Sequence, residues 1–591
     1  MRMLLPLSLV LASPLAAQNP RASAQLDGGL GGSVNGLDVV SGDFGAVTVW
    51  SDSVNNHVYA SLNDGSGIGS VWSPPIQVDD DTSGALKEAG FNLGNPGTFL
   101  SGTNVYVVWR DARNGTGDED IYFSRSLDLG ATWQPDVQVP KGFASGGGFQ
   151  VDDWTMSFSP DPGGDHIYIL MRIDPADTDG EEEIWLSASH DGGATFGAAV
   201  PVSTAHGLMR ASALVDVDGF SMDSEGLTVH CVWADNRNGS SARDDTWYRR
   251  STDGGVTWGP EVQVDASGAL NGDVANNPNV SAEGSTVAVV WGEELIDVAN
   301  EEVHVAVSTD GGVSFANDTM VSTFDPLVAD ADAFGVLVCG GNVVAFWDDN
   351  RTGGDGVYSS FSGDGGATWS PNVLLTSAAG TASVGFPKFA TDGGSTIYVT
   401  GEIEPGAHTE SNYSLDCGAT WEVAGGFTVS DTTGDSDFTR VAYNKGYNNA
   451  LIVWASDDLG NNNVYAGGYR LQTLVPKNWF SGFPTFVSFD IERFETSTPV
   501  AWVLASFSPG FLFLPGDGRN VGLTPDPLLT GAIPLAGAGL LSTAIAPDGS
   551  GSTPGIPVTL PPGINLFFVG VGVDPVTTTF GSITDVEAVS L

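Results

Sequence analysis

Between Val47 and Trp454 the chain returns repeatedly to a short apolar run that ends in Trp: Val47-Thr-Val-Trp50, Val107-Val-Trp109, Cys231-Val-Trp233, Val289-Val-Trp291, Ala345-Phe-Trp347 and Ile452-Val-Trp454. Two further runs, Ile167-Tyr-Ile-Leu170 and Ile397-Tyr-Val399, hold the same place in the rhythm without the Trp. After each run comes an alternating stretch such as Asp120-Ile-Tyr-Phe123, Glu183-Ile-Trp-Leu186 or Glu302-Val-His-Val305. A third stretch follows, as at Val137-Gln-Val139, and a fourth precedes the Trp run, as at Gly335-Val-Leu-Val338. Runs this short, bounded by Gly, Asn and Asp, read as strands, and helical periodicity is close to absent. Four short strands per unit, repeated at a fixed spacing, predict an all-β chain folded as a β-propeller.

The turn between the last two strands of each unit has its own phrase: Ser, any residue, Asp, any residue, Gly, any residue, Thr or Ser, then Trp or Phe. Six copies are clean, with aspartates at Asp128, Asp191, Asp253, Asp310, Asp364 and Asp416; a stretched copy runs from Ser61 through Asp64 to Trp72. The step between aspartates is 52 to 64 residues. The Asp carboxylate can accept from backbone N–H groups a few residues on, the Gly supplies a left-handed backbone position, and the hydroxyl adds a local bond. The final aromatic is expected to be buried as an apolar plug. These aspartates are therefore read as structural.

Eight Trp-type strands against seven turn phrases predict eight blades, with seven as the alternative. The last unit stops after Asn463-Val-Tyr465 and Tyr469-Arg-Leu471, and the segment near Ala22–Leu30 is expected to supply its missing outer strand. That would close the ring and remove two open sheet edges. Residues 22–472 are assigned to the propeller. Residues 477–591 carry few charges, many Pro and Gly, and runs such as Phe486-Val-Ser-Phe489 and Leu566-Phe-Phe-Val569, which predict a separate β-sandwich.

Residues 1–17 read as a secretion signal: Arg2, the apolar Leu4–Ala12, and Leu15-Ala16-Ala17 before Gln18. No other apolar run reaches the ~20 residues of a membrane helix. The expectation is a secreted or extracytoplasmic protein, attached to a cell surface or free. Formal net charge is −51 with only five Lys, which disfavours nucleic acid and anionic membranes as partners. Three cysteines, Cys231, Cys339 and Cys417, are compatible with one pair or with three free thiols. Nothing in the sequence speaks to oligomeric state.

On the turn phrases and their flanks, from about Asp38 to Leu471, the chain resembles the Asp-box (bacterial neuraminidase repeat) propellers, whose best-known members are sialidases. The resemblance implies a carbohydrate or glycoconjugate partner, an exo-acting glycoside hydrolase of sialidase type or a non-catalytic binding relative, and no required cofactor. The family grips a substrate carboxylate with three arginines, the first in an Arg-Ile-Pro motif of the opening blade. That motif is absent, and no arginine lies between Arg21 and Arg110. Catalytic residues are accordingly unassigned.

Two kinds of loop carry candidate chemistry. A phrase recurs after three Trp-ended strands: Trp109-Arg-Asp111-Ala-Arg113, Trp233-Ala-Asp235-Asn-Arg237 and Trp347-Asp-Asp349-Asn-Arg351. Arg113, Arg237 and Arg351 could offer guanidinium forks to an anionic sugar; alternatively each pairs with its own loop aspartate (Asp111, Asp235, Asp349) and holds the turn. The loop Asp174-Pro-Ala-Asp177-Thr-Asp179-Gly180-Glu181 spaces carboxylates around a Gly, a pattern that suits Ca²⁺, with Asp174, Asp177, Asp179 and Glu181 as ligands.

Overall fold

The structure is a computed structural model. It describes residues 24–28 and most of 34–477, omitting stretches such as 64–71, 90–96, 143–150, 174–182, 205–216, 238–243, 266–273 and 323–330, together with backbone strands between 485 and 590. Eight antiparallel sheets follow one another in chain order and form an eight-bladed propeller. The first strands of neighbouring blades pack side by side and so lie nearest the ring axis. The second strands, which carry the Trp residues, are the most deeply buried: Trp50, Trp109, Trp233, Trp291, Trp347 and Trp454 are all within 1% of full burial. In the third and seventh blades Met171 and Gly401 stand at the Trp position, each four residues beyond the partner of the turn-phrase serine.

The ring closes as the strand count requires. Ala24–Gln25 pairs antiparallel with the third strand of the last blade, Ala24 opposite Ala466 and Gln25 opposite Tyr465, and Leu26 N donates to Val464 O at 2.8 Å. The outer edge of Asn463–Arg470 is thereby paired at Val464–Ala466. Eight blades with seven turn phrases follow directly, because the eighth blade draws its outer strand from the chain start.

Each first strand of the described blades except the second carries a register shift near its start, for example between Gly385 and Lys388 and between Asp437 and Arg440. Such bulges re-aim side chains where a strand bends. The first and second strands are joined by two to six residues, as at Glu225–Thr228 and Ser159–His166. The fourth strand and the next blade's first strand are joined by seven to fifteen, as at Thr428–Ser436 and Pro201–Val217. One end of the ring therefore holds tight turns and turn phrases, and the other holds the long connections and the Asp-x-Arg loops.

Beyond the ring, Thr473–Lys477, Thr485–Glu492, Gly551–Ser552 and Ile556–Val558 form one antiparallel sheet. Val500–Ser506, Ser542–Ala544, Asn565–Asp574, Thr579–Ile583 and Glu587–Ser590 form a second. No helix among the described residues is long and apolar enough to cross a membrane.

Cys339, at the end of the sixth blade's first strand, is disulfide-bonded to Cys417 in the seventh blade's turn phrase, and Cys231 is a buried free thiol. Cys417 holds a left-handed backbone position at φ 59° that Gly fills in four of the other phrases and Leu129 in the fifth.

Candidate functional site

The six clean turn phrases share one hydrogen-bond pattern. The Ser hydroxyl donates to the Asp Oδ1 at 2.7–2.9 Å and accepts from the Gly N–H at 2.7–2.9 Å. The Asp in turn accepts from the Thr or Ser backbone N–H at 2.8–2.9 Å and from its hydroxyl at 2.6–2.7 Å. The hydroxyl and backbone bonds to Thr257 hold the Asp253 carboxyl down at about 2, and Asp128, Asp310 and Asp364 are lowered for the same reason. Every Asp Oδ of the phrase is thus occupied locally. Asp64 lies outside the described residues.

The closing aromatics differ from the expectation of burial. Trp72, Trp133, Trp258, Trp369 and Trp421 are half-buried, lying over the core clusters from outside. Their indole N–H groups are turned inward without a hydrogen-bond partner, so these residues act through apolar area alone. The reason is position: the phrase sits at the outer rim, where a plug can cover the core but nothing covers the plug.

The phrase also reaches across blades, which its local pattern does not reveal. A Cβ on Gly193 would lie 2.3 Å from Phe123 Cζ, and one on Gly312 would lie 2.0 Å from Tyr248 Oη, both in the preceding blade. With φ at 73° and 82°, these positions need glycine twice over, for conformation and for space. Arg125 and Arg250 each donate to a phrase carbonyl of the following blade, Gly192 O and Gly311 O.

The three Asp-x-Arg loops form a clamp that spans a blade. Trp109 Nε1 donates to Asp111 Oδ2 at 3.0 Å, and Arg113 donates to the same carboxylate through its backbone N at 2.8 Å, Nε at 2.9 Å and Nη2 at 2.6 Å. Its Nη2 continues to Asp136 Oδ2 at 2.7 Å, just before the outer strand, while the guanidinium lies 3.9 Å above the Tyr122 ring. Burial opposes the charge on Arg113, but the hydrogen bonds to Asp111 and Asp136 outweigh it and hold the group firmly protonated. Arg237 repeats this with Asp235, Glu261 and the Trp247 ring at 4.3 Å. Arg351 repeats it with Asp349, Asn372 and the Tyr358 ring at 4.3 Å. The three arginines stand on the second, fourth and sixth blades, so the fold keeps them apart and aims each toward its own outer strand.

The acidic loop with Asp174, Asp177, Asp179 and Glu181 lies outside the described residues. Among the described residues no group of three or more His, Cys, Asp and Glu is placed to hold a metal ion.

The structure does bring together four charged residues that the sequence reading passed over. Asp38 on the first blade, Lys388 and Glu402 on the seventh and Arg440 on the eighth form an electrostatically coupled group beside the ring axis. Burial raises the Asp38 carboxyl to about 6 against the pull of Arg440, and burial together with Arg440 lowers the Lys388 amine well below the usual lysine range. Glu402 Oε1 accepts from Thr439 N at 2.5 Å. Positions 38, 388, 402 and 440 meet only when the ring closes, so no local signal announces them.

No protein-family model matches the chain, and no curated protein matches it. Among solved structures it is similar to an α-L-arabinanase from Penicillium chrysogenum, at 15% identity over 66% of this chain and 98% of that one with a TM-score of 0.34. It is also similar to the NanB sialidase from Streptococcus pneumoniae, at 9% identity over 77% and 94% with a TM-score of 0.35. An α-L-arabinofuranosidase from Fusarium graminearum gives 13% identity over 76% and 98% with a TM-score of 0.35.

Proposed function

We propose that this chain is an exported propeller that holds carbohydrate on its long-loop face and does not cleave sialosides. The observation that carries the reading is the state of Arg113, Arg237 and Arg351. Each guanidinium is already bonded to a carboxylate of its own loop, stacked on an aromatic ring, and set on a different blade. A group so engaged would have to break a charge-assisted pair before it could grip a substrate carboxylate. The length asymmetry of the connections supports binding on one face, because long loops on a rigid scaffold are where recognition residues concentrate.

Export is supported by the signal-like residues 1–17 and by the Cys339–Cys417 disulfide, which suits an oxidising compartment. In this reading the C-terminal sheets form a sandwich that attaches or localises the ring, and the Asp174–Glu181 loop takes Ca²⁺.

The test pairs a fluorogenic sialoside with a glycan-array screen of the secreted protein. We expect no release of free sialic acid and retention of a defined glycan set. Turnover lost on Arg237→Lys would overturn the non-catalytic reading, and an array without signal would leave a protein partner as the ligand of that face.

A further inference from the structure

The innermost strands share a feature visible only in the bulged register. In each blade one first-strand residue faces the second-strand residue just before the Trp position. Around the ring these are Asp38 opposite Val49, Gly97 opposite Val108, Thr155 opposite Leu170, and Ser221 opposite Val232. They continue with Asn279 opposite Val290, Gly335 opposite Phe346, Lys388 opposite Thr400 and Arg440 opposite Val453. All eight are polar or glycine. Their neighbours one step along are apolar except Thr98 and Thr439, for example Leu37 and Val39, Trp154 and Met156, and Phe220 and Met222. Five of the eight are uncharged. The three charged ones, Lys388, Arg440 and Asp38, fall on consecutive blades, at the place where the two ends of the propeller meet.

Two of these groups lack the partners that such groups have elsewhere in the molecule. Lys87 donates to Asp81 at 2.7 Å and Lys141 to Asp120 at 2.6 Å. Lys388, only 9% exposed, makes no hydrogen bond to a described residue, although the chain carries 72 acidic side chains. Asp38 is 4% exposed; its Oδ1 accepts from Val39 N at 2.8 Å and Thr98 lies against the carboxyl and favours its charged form, while Oδ2 is buried with no hydrogen bond of normal geometry. Buried polar groups in folded proteins are rarely left this way, and each exception calls for an explanation. Arg440 is half-buried and donates Nη1 to Thr439 O at 2.9 Å.

We propose that the seam between the seventh, eighth and first blades is a binding site for a small monovalent carboxylate, held between Lys388 Nζ and the Arg440 guanidinium with Asp38 Oδ2 as the third contact. The charge balance selects the ligand class. With Lys388 and Arg440 protonated, Asp38 neutral and Glu402 ionised, the site carries one net positive charge. A carboxylate cancels it, while a dianion would bury an uncompensated negative charge. A guanidinium fork also matches the planar geometry of a carboxylate.

Binding is coupled to protons. In the empty site, burial and Arg440 disfavour the ammonium form of Lys388, and Asp38 titrates near pH 6. The charged or titratable groups set against Lys388 are Arg440, Glu402 and Asp38. An arriving anion favours the protonated forms of both Lys388 and Asp38, so the complex takes up protons at neutral pH and tightens as pH falls. This site is independent of the loop face, and either could be absent without the other.

The experiment is calorimetry on the full chain with acetate as the probe and sulfate at matched ionic strength, at pH 5.5 and 7.5, in two buffers of different ionisation enthalpy. The expected result is acetate binding with net proton uptake at pH 7.5, at least tenfold tighter at pH 5.5 and stronger than sulfate. Lys388→Met should weaken acetate tenfold or more. Asp38→Asn, which keeps a donor in place, should retain affinity within about threefold while removing part of the proton uptake. Should Lys388→Met fail to fold, the wild-type proton count and Asp38→Asn decide the matter. Acetate binding without proton uptake, equal binding by folded Lys388→Met, sulfate preferred over acetate, or no acetate heat at all would each overturn the proposal.

Discussion

The outer rim and the inner seam of this ring follow opposite rules. At the rim, six copies of one turn repeat the same four hydrogen bonds, and three copies of one clamp repeat the same Trp–Asp–Arg contacts. The Ser, Asp and Thr groups of the repeated turn are met within their own phrase, and only the indole N–H of the closing Trp is left without a partner. At the seam, by contrast, Asp38, Lys388 and Arg440 interrupt a ring of uncharged positions on three adjacent blades, and neither Asp38 Oδ2 nor the Lys388 amine makes a hydrogen bond to a described residue. A device that recurs in register answers a need that every blade has, which is packing. A departure confined to one place answers a need that the molecule has once. Residue type alone draws attention to the rim arginines, yet each of them is already paired with a carboxylate of its own loop.

If rim repetition is structural, breaking one copy must damage the fold rather than ligand binding. The largest effect is expected at Gly312, where a side chain meets both a left-handed backbone at φ 82° and Tyr248 Oη 2.0 Å away. Gly312→Val should cost roughly 4–5 kcal/mol, read as a collapse of the urea midpoint or loss of soluble protein. Gly340→Ala is the control: its φ of 59° is also left-handed but the space beside it is open, so the cost should stay near 1 kcal/mol. Equal costs for the two would mean that blade-to-blade contact at the phrase is unimportant.

The clamps sharpen the comparison further. Arg237→Ala strips the partner from Asp235, whose carboxylate is buried and also holds the Trp233 indole. Removing one member of a buried pair costs roughly 3–5 kcal/mol. The expected outcome is a strong fall in unfolding free energy with acetate binding at the seam unchanged. A stable Arg237→Ala protein with altered glycan retention would instead make the clamp part of a binding site.

Much of the rim was legible in the sequence because its logic is local. Ser126, Asp128, Gly130 and Thr132 satisfy one another within seven residues, so spacing alone exposes the turn, and eight Trp-type strands against seven turns pointed to a shared last blade. What stayed hidden depends on distance. The half-exposure of Trp133 and Trp258 follows from their place at the edge of the ring. The contact of Gly193 with Phe123 spans two blades. The seam joins residues some 400 positions apart through a register that the bulges before Lys388 and Arg440 shift, and no periodicity records those bulges.

The fifth blade offers the finest probe, because it keeps the Trp and the acid of the clamp but has no arginine. Trp291 Nε1 donates to Glu293 at 2.7 Å, and the aromatic slot opposite Trp291 is filled by His304. The His304 ring is bonded through Nδ1 to Asp318 at 2.8 Å and lies 3.6 Å from Glu302 through Nε2. Burial works against the charged ring, but the bonds to Asp318 and Glu302 prevail and raise it to about 9. A histidine raised from about 6.5 stabilises the fold fully below pH ~6.5 and loses that contribution as pH climbs through 9, an effect on the order of 3 kcal/mol. The arginines of the other clamps keep their charge throughout that range, although Asp136 beside Arg113 is itself raised by burial to about 7. Asp265, raised by burial to about 8, also makes stability fall as pH rises toward 8 and must be separated from it. Comparing His304→Gln with the wild type does so, because Asp265 is common to both. The stability gap between the two proteins should be widest at pH 6 and close by pH 9.5 in denaturant titrations. A gap that stays constant over that range would mean that His304 fills the slot by shape alone and that its charge adds nothing to the blade.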